Sequence, residues 1–336
     1  MTTRIGLMGF GRIGRNVFRQ VRERKDIEVA AIVDVADPAA LAYLLEYDTI
    51  FGRYPDDVSF TDGHLVAGPL RIPMLSTPEP GGVDWAALGV DIVVQATRKH
   101  RTAEHCARHL ERGARRVILA STPEHPGDMD TVILGVNDHM LGPEDRMVAL
   151  GSNSSNALAP TLKALHAAFG VERALFTIVH AFTNEARLAD VPGGEFRTSR
   201  AAAENIIPAA TNAAGIVEVA LPEMAGRLAG IALNVPVADG SNVDLVAFLG
   251  RPTDREEVNA VMSRAAEASH VLAYTEDPIV SSDVIGDPHS GTWDGLATML
   301  VDGTLLKAVV WFDNGWGYAA RVVDMIGLMS ALEEDS

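Results

Sequence analysis

Apolar and polar positions in the first part of the chain alternate between two periods. Residues 5–8 are apolar enough for a short buried strand, and Ile13, Val17, Phe18 and Val21 then recur at helical steps. A second apolar run at 29–33 ends in Asp34. Asp37 and Pro38 read as an N-cap and first helical residue, with Leu41, Leu44 and Leu45 on the apolar face. Glycine-containing hairpins are expected over 58–72, and 90–94 is a fully apolar strand of the buried parallel type. A helix with Ala103, Cys106, Ala107 and Leu110 on one side follows, and 117–120 and 131–136 read as further strands. Residues 1–150 thus alternate strand and helix, as an open doubly wound sheet does.

The pattern then changes. Asn156 or a near neighbour opens a helix striped by Leu158, Leu162, Leu165 and Phe169, and Gly170 stops it. Longer β-rich runs follow at 174–179, 231–235, 243–248 and 305–312, with Thr253 and Glu256 as a capping box before a helix near 258–268. This predicts an α+β domain over 151–315 with a mostly antiparallel sheet. Val322, Val323, Ile326 and Met329 mark a last helix within 316–336 that packs back on another element.

Between the first strand and helix, Gly9, Gly11 and Gly14 stand as G-x-G-x-x-G. The first permits a tight turn, the second lets backbone approach a pyrophosphate, and the third lets the helix pack on the sheet. Asp34 lies twenty positions after Gly14, where a dinucleotide site places the carboxylate that binds the adenosine ribose. The first domain is therefore read as a Rossmann domain for NAD.

At 336 residues the chain is long for one core, which agrees with two domains. Its net charge of −17 argues against a general nucleic-acid or anionic-membrane binder. No apolar run reaches the roughly 18 residues needed to span a bilayer, and a cytoplasmic location is expected. The single cysteine, Cys106, allows no intrachain disulfide and falls on an apolar helix face, as a small core residue does.

Six motifs, the glycine turn among them, carry a family resemblance. G-F-G-R-I-G-R at 9–15, Y-D-T-I-F-G at 47–52, V-H-A-F-T at 179–183, N-I-I-P-A at 205–209, Y-T-E-D-P-I-V-S-S-D at 274–283 and W-F-D-N-G-W-G-Y at 311–318 resemble glyceraldehyde-3-phosphate dehydrogenase in order and spacing. The resemblance implies a small-molecule substrate and a homotetramer whose S-shaped loop, here about 181–200, lies near a neighbouring subunit's cofactor. It also implies NAD contacts at Arg12 and Ile13 through backbone, Asp34 at the ribose, Thr97 near the adenosine side and Asn314 at the carboxamide, with Ala120 and Tyr318 also beside the cofactor. His180 occupies the position of the family's acid/base.

The chemistry departs from the family pattern. Where members read S-C-T-T-N-C-L-A-P, this chain reads S-N-S-S-N-A-L-A-P at 152–160, so Asn153 stands in the nucleophile's place. An amide nitrogen, its lone pair delocalised into the carbonyl, does not attack as a thiolate does. Ser152, Ser154 and Ser155 are replacement candidates only if a base aligns with one of them. The phosphate-binding arginine is replaced by Asn234 and the glycine after Thr211 by Asn212, while Ser152, Ser154 and Thr183 remain substrate contacts. Arg187 and Arg200 offer positive charge or S-loop structure. Arg98, Lys99, His100 and Arg101 replace a glycine and apolar residues, as an anion site or a solvated cluster. His105 and His109 have metal-compatible spacing without an evident third ligand, and read as two surface histidines; no metal is expected.

Three functions follow: an NAD-dependent oxidoreductase with an altered substrate and His180 as acid/base, a non-redox enzyme using the same site, or a non-catalytic NAD-binding sensor or assembly subunit. The first is favoured because His180 and Asn314 are kept.

Overall fold

The computed structural model describes residues 2–125, 127–183 and 186–334. Two compact units form: Met1–Val132 with Met140–Gly151 and Ala319–Ser336, and Ile133–His139 with Ser152–Tyr318.

The first unit opens with β1 (Thr3–Met8), α1 (Arg12–Val21), β2 (Ile27–Val33) and α2 (Pro38–Glu46). A short ribbon of β3 (Tyr47–Asp48) and β4 (Gly52–Arg53) precedes the meander β5 (Val58–Thr61), β6 (His64–Ala67) and β7 (Leu70–Leu75). Then come β8 (Ile92–Gln95), α3 (Ala103–Glu111), β9 (Arg116–Leu119), β10 (Asp130–Thr131) and β11 (Met147–Ala149). Among the described residues the sheet runs β10-β11-β9-β8-β1-β2-β7-β6-β5, parallel from β10 to β7. Strands β8 and β9 are buried along their whole length, which is why their sequences show no alternation. Asp37 caps α2 by accepting from the Ala40 N–H at 3.1 Å, as the sequence suggests. From Ala319 the C-terminal helix belongs to this unit, and Ser330 bonds Thr3 side chain to side chain at 2.6 Å.

The second unit contains α4 (Asn153–Phe169), β12 (Val171–Ala181), β13 (Ile207–Ala209), α5 (Ala213–Ala220), β14 (Leu228–Val235), β15 (Ser241–Leu249) and α6 (Arg255–Glu267). It continues with β16 (Leu272–Thr275), β17 (Gly291–Asp294), β18 (Met299–Val301) and β19 (Leu305–Phe312), and α7 (Trp316–Glu334) begins in it. Its sheet runs β13-β14-β12-β15-β19-β17-β16, with β12–β14 and β16–β17 parallel and its other pairs antiparallel. Alternate residues of β15 and β19 are buried. Leu158, Leu162, Leu165 and Phe169 of α4 pack with Ile178, Val243, Leu245 and Val310 in one core.

Three local expectations are corrected. Of the strand expected at 131–136 only Thr131 is extended, in β10, because the Val136 and Asn137 N–H groups both turn back to the Ile133 carbonyl and the Asn137 side chain accepts from the Ile133 N–H. Helix α6 is capped by Asp254, which accepts from Glu257 N–H at 2.8 Å, while Thr253 bonds the Glu257 carboxylate; the expected Thr253–Glu256 box is absent. His109 is fully buried rather than on the surface.

Candidate active site and dinucleotide turn

In the first unit the three glycines have separate steric reasons. Gly9 has φ +102°, and a Cβ there would lie 2.9 Å from the Ala96 backbone. At Gly14 a Cβ would sit 2.2 Å from the Gly9 carbonyl oxygen, so any side chain would push α1 off the turn. Gly11 faces open space, and α1 starts at Arg12 with no side chain capping its first N–H groups. That combination fits a bound diphosphate. Arg12 is exposed and Ile13 half-buried in this first turn. Asp34 Oδ2 accepts from the Phe10 N–H at 2.7 Å and Oδ1 from the Ala36 N–H at 2.9 Å. Each oxygen keeps capacity to accept from a ribose hydroxyl, so the residues fit a dinucleotide.

Thr97 is less available than its motif implies. Its hydroxyl accepts from Gln95 Nε2 at 2.7 Å and donates to the Lys99 carbonyl at 2.6 Å, both inside its own loop. Ala120, at the end of β9, is buried and donates its N–H to the Gln95 carbonyl.

In the second unit, β12 delivers His180 and the first turn of α4 delivers Asn153. His180 Nδ1 lies 2.5 Å from the Ala181 carbonyl oxygen. A carbonyl only accepts, so this bond assigns the proton to Nδ1 and leaves the lone pair on Nε2. Asn153 Nδ2 lies 3.5 Å from that Nε2 and donates to the Asn314 carbonyl at 2.9 Å, while its Oδ1 accepts from Ser154 N–H at 2.7 Å. Burial pushes the His180 pKa down, and the Ala181 carbonyl offsets part of this. The imidazole is therefore neutral near pH 7, the form a base requires.

The serines are committed to the helix end. Ser152 and Ser155 form a reciprocal capping box, and Ser154 Oγ lies 3.2 Å from Ser152 Oγ. No hydrogen bond joins any of the three to His180 among the described residues. An unaligned serine is a poor nucleophile.

Asn314 is oriented by a residue that sequence reasoning missed. Ser241 Oγ accepts from the Ala181 N–H at 3.0 Å and donates to Asn314 Oδ1 at 3.0 Å, which leaves Asn314 Nδ2 as the outward donor. Asp313, also missed, holds this turn by accepting from the Gly286, Gly315 and Trp316 N–H groups. Its place before N-G was a legible turn signal; Ser241 had none. Tyr318 is buried, which pushes its phenol pKa up.

Thr183, Arg187, Arg200 and Asn234 line one pocket of about 460 Å³. Asn234 is the register partner of His180 across β12 and β14. Arg200 is held by Asp190 at 2.9 Å, whereas Arg187 makes no ion pair among the described residues. Thr211 and Asn212 are not among the pocket's lining residues: Thr211 Oγ1 accepts from the Ala213 N–H, and Asn212 precedes α5 without a side-chain cap. Two S-loop positions, Asn184 and Glu185, lie outside the described residues.

Residues 3–103 match the glyceraldehyde 3-phosphate dehydrogenase NAD binding domain, and residues 152–314 match the C-terminal domain of the same enzyme. The chain belongs to the glyceraldehyde-3-phosphate dehydrogenase family. It is 43% identical over 334 residues to glyceraldehyde-3-phosphate dehydrogenase of Geobacillus stearothermophilus, covering 98% of this chain and 99% of the relative. It is also 43% identical over 330 residues to the Streptomyces coelicolor enzyme, covering 97% and 98%. Glyceraldehyde-3-phosphate dehydrogenase 1 of Bacillus subtilis is 40% identical over 328 residues, covering 97% of each chain. As a member of this family the protein is an NAD-dependent oxidoreductase, and NAD is its cofactor. Among the described residues no helix is long and apolar enough to cross a membrane.

Proposed function

We propose that this dehydrogenase works without thioester chemistry, on a substrate other than glyceraldehyde 3-phosphate, with His180 as its acid/base. The observation that carries the reading is Asn153, whose amide is bonded to Ser154 N–H and the Asn314 carbonyl at the place of the family nucleophile. Cys106 offers no substitute: it is fully buried among Trp85, Val93 and Val117, and burial pushes its thiol up to about 12.

Bound NAD supplies the hydride acceptor or donor. The chain's own residues handle the proton and the substrate's position. As an alcohol or aldehyde hydrate is oxidised, its hydroxyl proton passes to the neutral Nε2 of His180; in the reverse direction the same nitrogen returns it. Asn314 Nδ2, set by Ser241, would hold the cofactor's carboxamide when it is bound. Ser152, Ser154, Thr183 and the pocket beside Asn234 hold the rest of the substrate, with Arg187 as the cation available there. Without the arginine at 234 a phosphate loses a charge-assisted, bidentate contact, which favours a substrate of different charge placement.

Turnover should leave no covalent trace. Intact-mass spectrometry during NAD-linked oxidation of candidate alcohols and aldehydes is expected to show the unmodified chain, and an acyl adduct on any residue overturns the reading.

We also propose a homotetramer in the cytoplasm. Its support is exposed apolar surface: Leu188 and Phe196 in the S-loop segment are 90% and 95% exposed, and Leu175 and Ile231 lie exposed on one face of the second sheet. Sedimentation at micromolar concentration is expected to give the mass of four chains, and a monomer sinks the idea.

A further inference from the structure

The four basic residues after β8 are held in place by an unusual investment of buried polar groups. Trp85 Nε1 donates to His109 Nδ1 at 2.9 Å, which leaves the ring proton on Nε2, 2.9 Å from Gln95 Oε1. Gln95 Nε2 then donates to Thr97 Oγ1, and Thr97 donates to the Lys99 carbonyl. Trp85, Gln95 and His109 are all fully buried. A relay of this kind, with each donor and acceptor matched, fixes the backbone it ends on. It ends on the loop at 97–101.

That loop is held in a conformation unfavourable for what it carries. His100 has φ +61°, a left-handed conformation that side chains other than glycine seldom adopt. Arg98 is exposed, and partial desolvation together with the positive charge of Arg101 lowers its pKa. In a chain of net charge −17, Lys99 and Arg101 have no ion-pair partner among the described residues. The Arg101 guanidinium is anchored by one bond to the Thr122 carbonyl, and Lys99 is exposed. Strain and like charge that the surrounding structure enforces mark functional loops. The only acid in the first turn of α3, Glu104, is drawn off by Arg108 at 2.8 Å.

We propose that the loop at 97–102 is a phosphate-binding site in its own right, in which Lys99 and Arg101 hold a phosphate-bearing small molecule distinct from the cofactor. The loop adjoins the dinucleotide turn: Ala96 N–H donates to the Met8 carbonyl, and a Cβ on Gly9 would lie 3.0 Å from Thr97 Cγ2. The cofactor's own 2′-phosphate, as in NADP, is disfavoured because Asp34 occupies the ribose position with both oxygens aimed by backbone N–H groups.

Calorimetric titration of inorganic pyrophosphate into the whole protein, saturated with NAD at low salt, tests the site. Binding is expected to be saturable, and Lys99→Ala/Arg101→Ala is expected to weaken it by at least about tenfold while NAD affinity changes less than about twofold. Lys25→Ala/Arg112→Ala removes two exposed cations elsewhere on the same unit and should leave pyrophosphate binding unchanged. Absence of saturable binding, or an equal loss in both double variants, overturns the site. Suppression of pyrophosphate binding by NADP but not by NAD would assign the phosphate to the cofactor and overturn the separate ligand. Lys99→Gln/Arg101→Gln, with a thermal melt matching the parent chain, repeats the measurement should the alanine pair fold poorly.

Discussion

Phosphorylating oxidation of glyceraldehyde 3-phosphate is expected to run roughly 10⁴- to 10⁶-fold slower in this protein than with a nucleophilic cysteine at the site, the loss seen when covalent catalysis is reduced to binding and electrostatic assistance. Two independent features lead to this. Asn153 forms no thioester, and its amide is already spent on Ser154 N–H and the Asn314 carbonyl. On the proposed reading, Asn234 stands where the family resemblance implies a phosphate-binding arginine, so no guanidinium clamps a phosphate there. Steady-state assays with glyceraldehyde 3-phosphate, NAD and inorganic phosphate check it. A turnover within about tenfold of a cysteine-bearing relative would contradict the prediction, as would inactivation by a thiol alkylator, since Cys106 is the only thiol and its raised pKa keeps it protonated. Asn153→Cys alone should restore little, because the phosphate stays underbound.

His180→Ala is expected to cost about 10²- to 10⁴-fold in activity on the true substrate, the usual worth of a positioned proton carrier. Affinity for NAD should stay within about twofold, because the side chain's bonds are to the Ala181 carbonyl and Asn153 and not to the dinucleotide turn. The pH profile supplies a second readout. A lowered His180 pKa means that the neutral base persists to below pH 6.5, so kcat/KM for oxidation should be flat near neutrality and fall on acidification with an inflection below the ordinary imidazole value of 6.5. Loss of that acidic limb in His180→Ala would tie it to this ring. Full activity in the variant would move the chemistry elsewhere, and absence of activity in the parent with every alcohol and aldehyde would favour a non-catalytic NAD-binding role.

Much of this architecture was legible from local pattern. Apolar runs and helical spacing located most of the strands and helices because each buries one face or is wholly enclosed, and Asp37-Pro38 announced its helix start correctly. The run at 131–136 misled because its apolar residues are buried in a turn, and burial does not distinguish a turn from a strand. His109 misled because one face of α3 is closed by Trp85 and Gln95, residues 24 and 14 positions away.

The sequence by itself determined the dinucleotide turn and the asparagine at position 153. The first follows from steric demands that act within a few residues, since only glycine fits at φ +102° and where a Cβ would strike a carbonyl at 2.2 Å. The second is a matter of one residue's chemistry. Only the tertiary structure decided what Asn153 does with its amide, which nitrogen of His180 carries the proton, and that Ser241 orients Asn314. The first and third depend on partners 161 and 73 positions apart, selected by sheet register and helix packing across a whole unit, and the second on a ring orientation that brings Nδ1 to the Ala181 carbonyl.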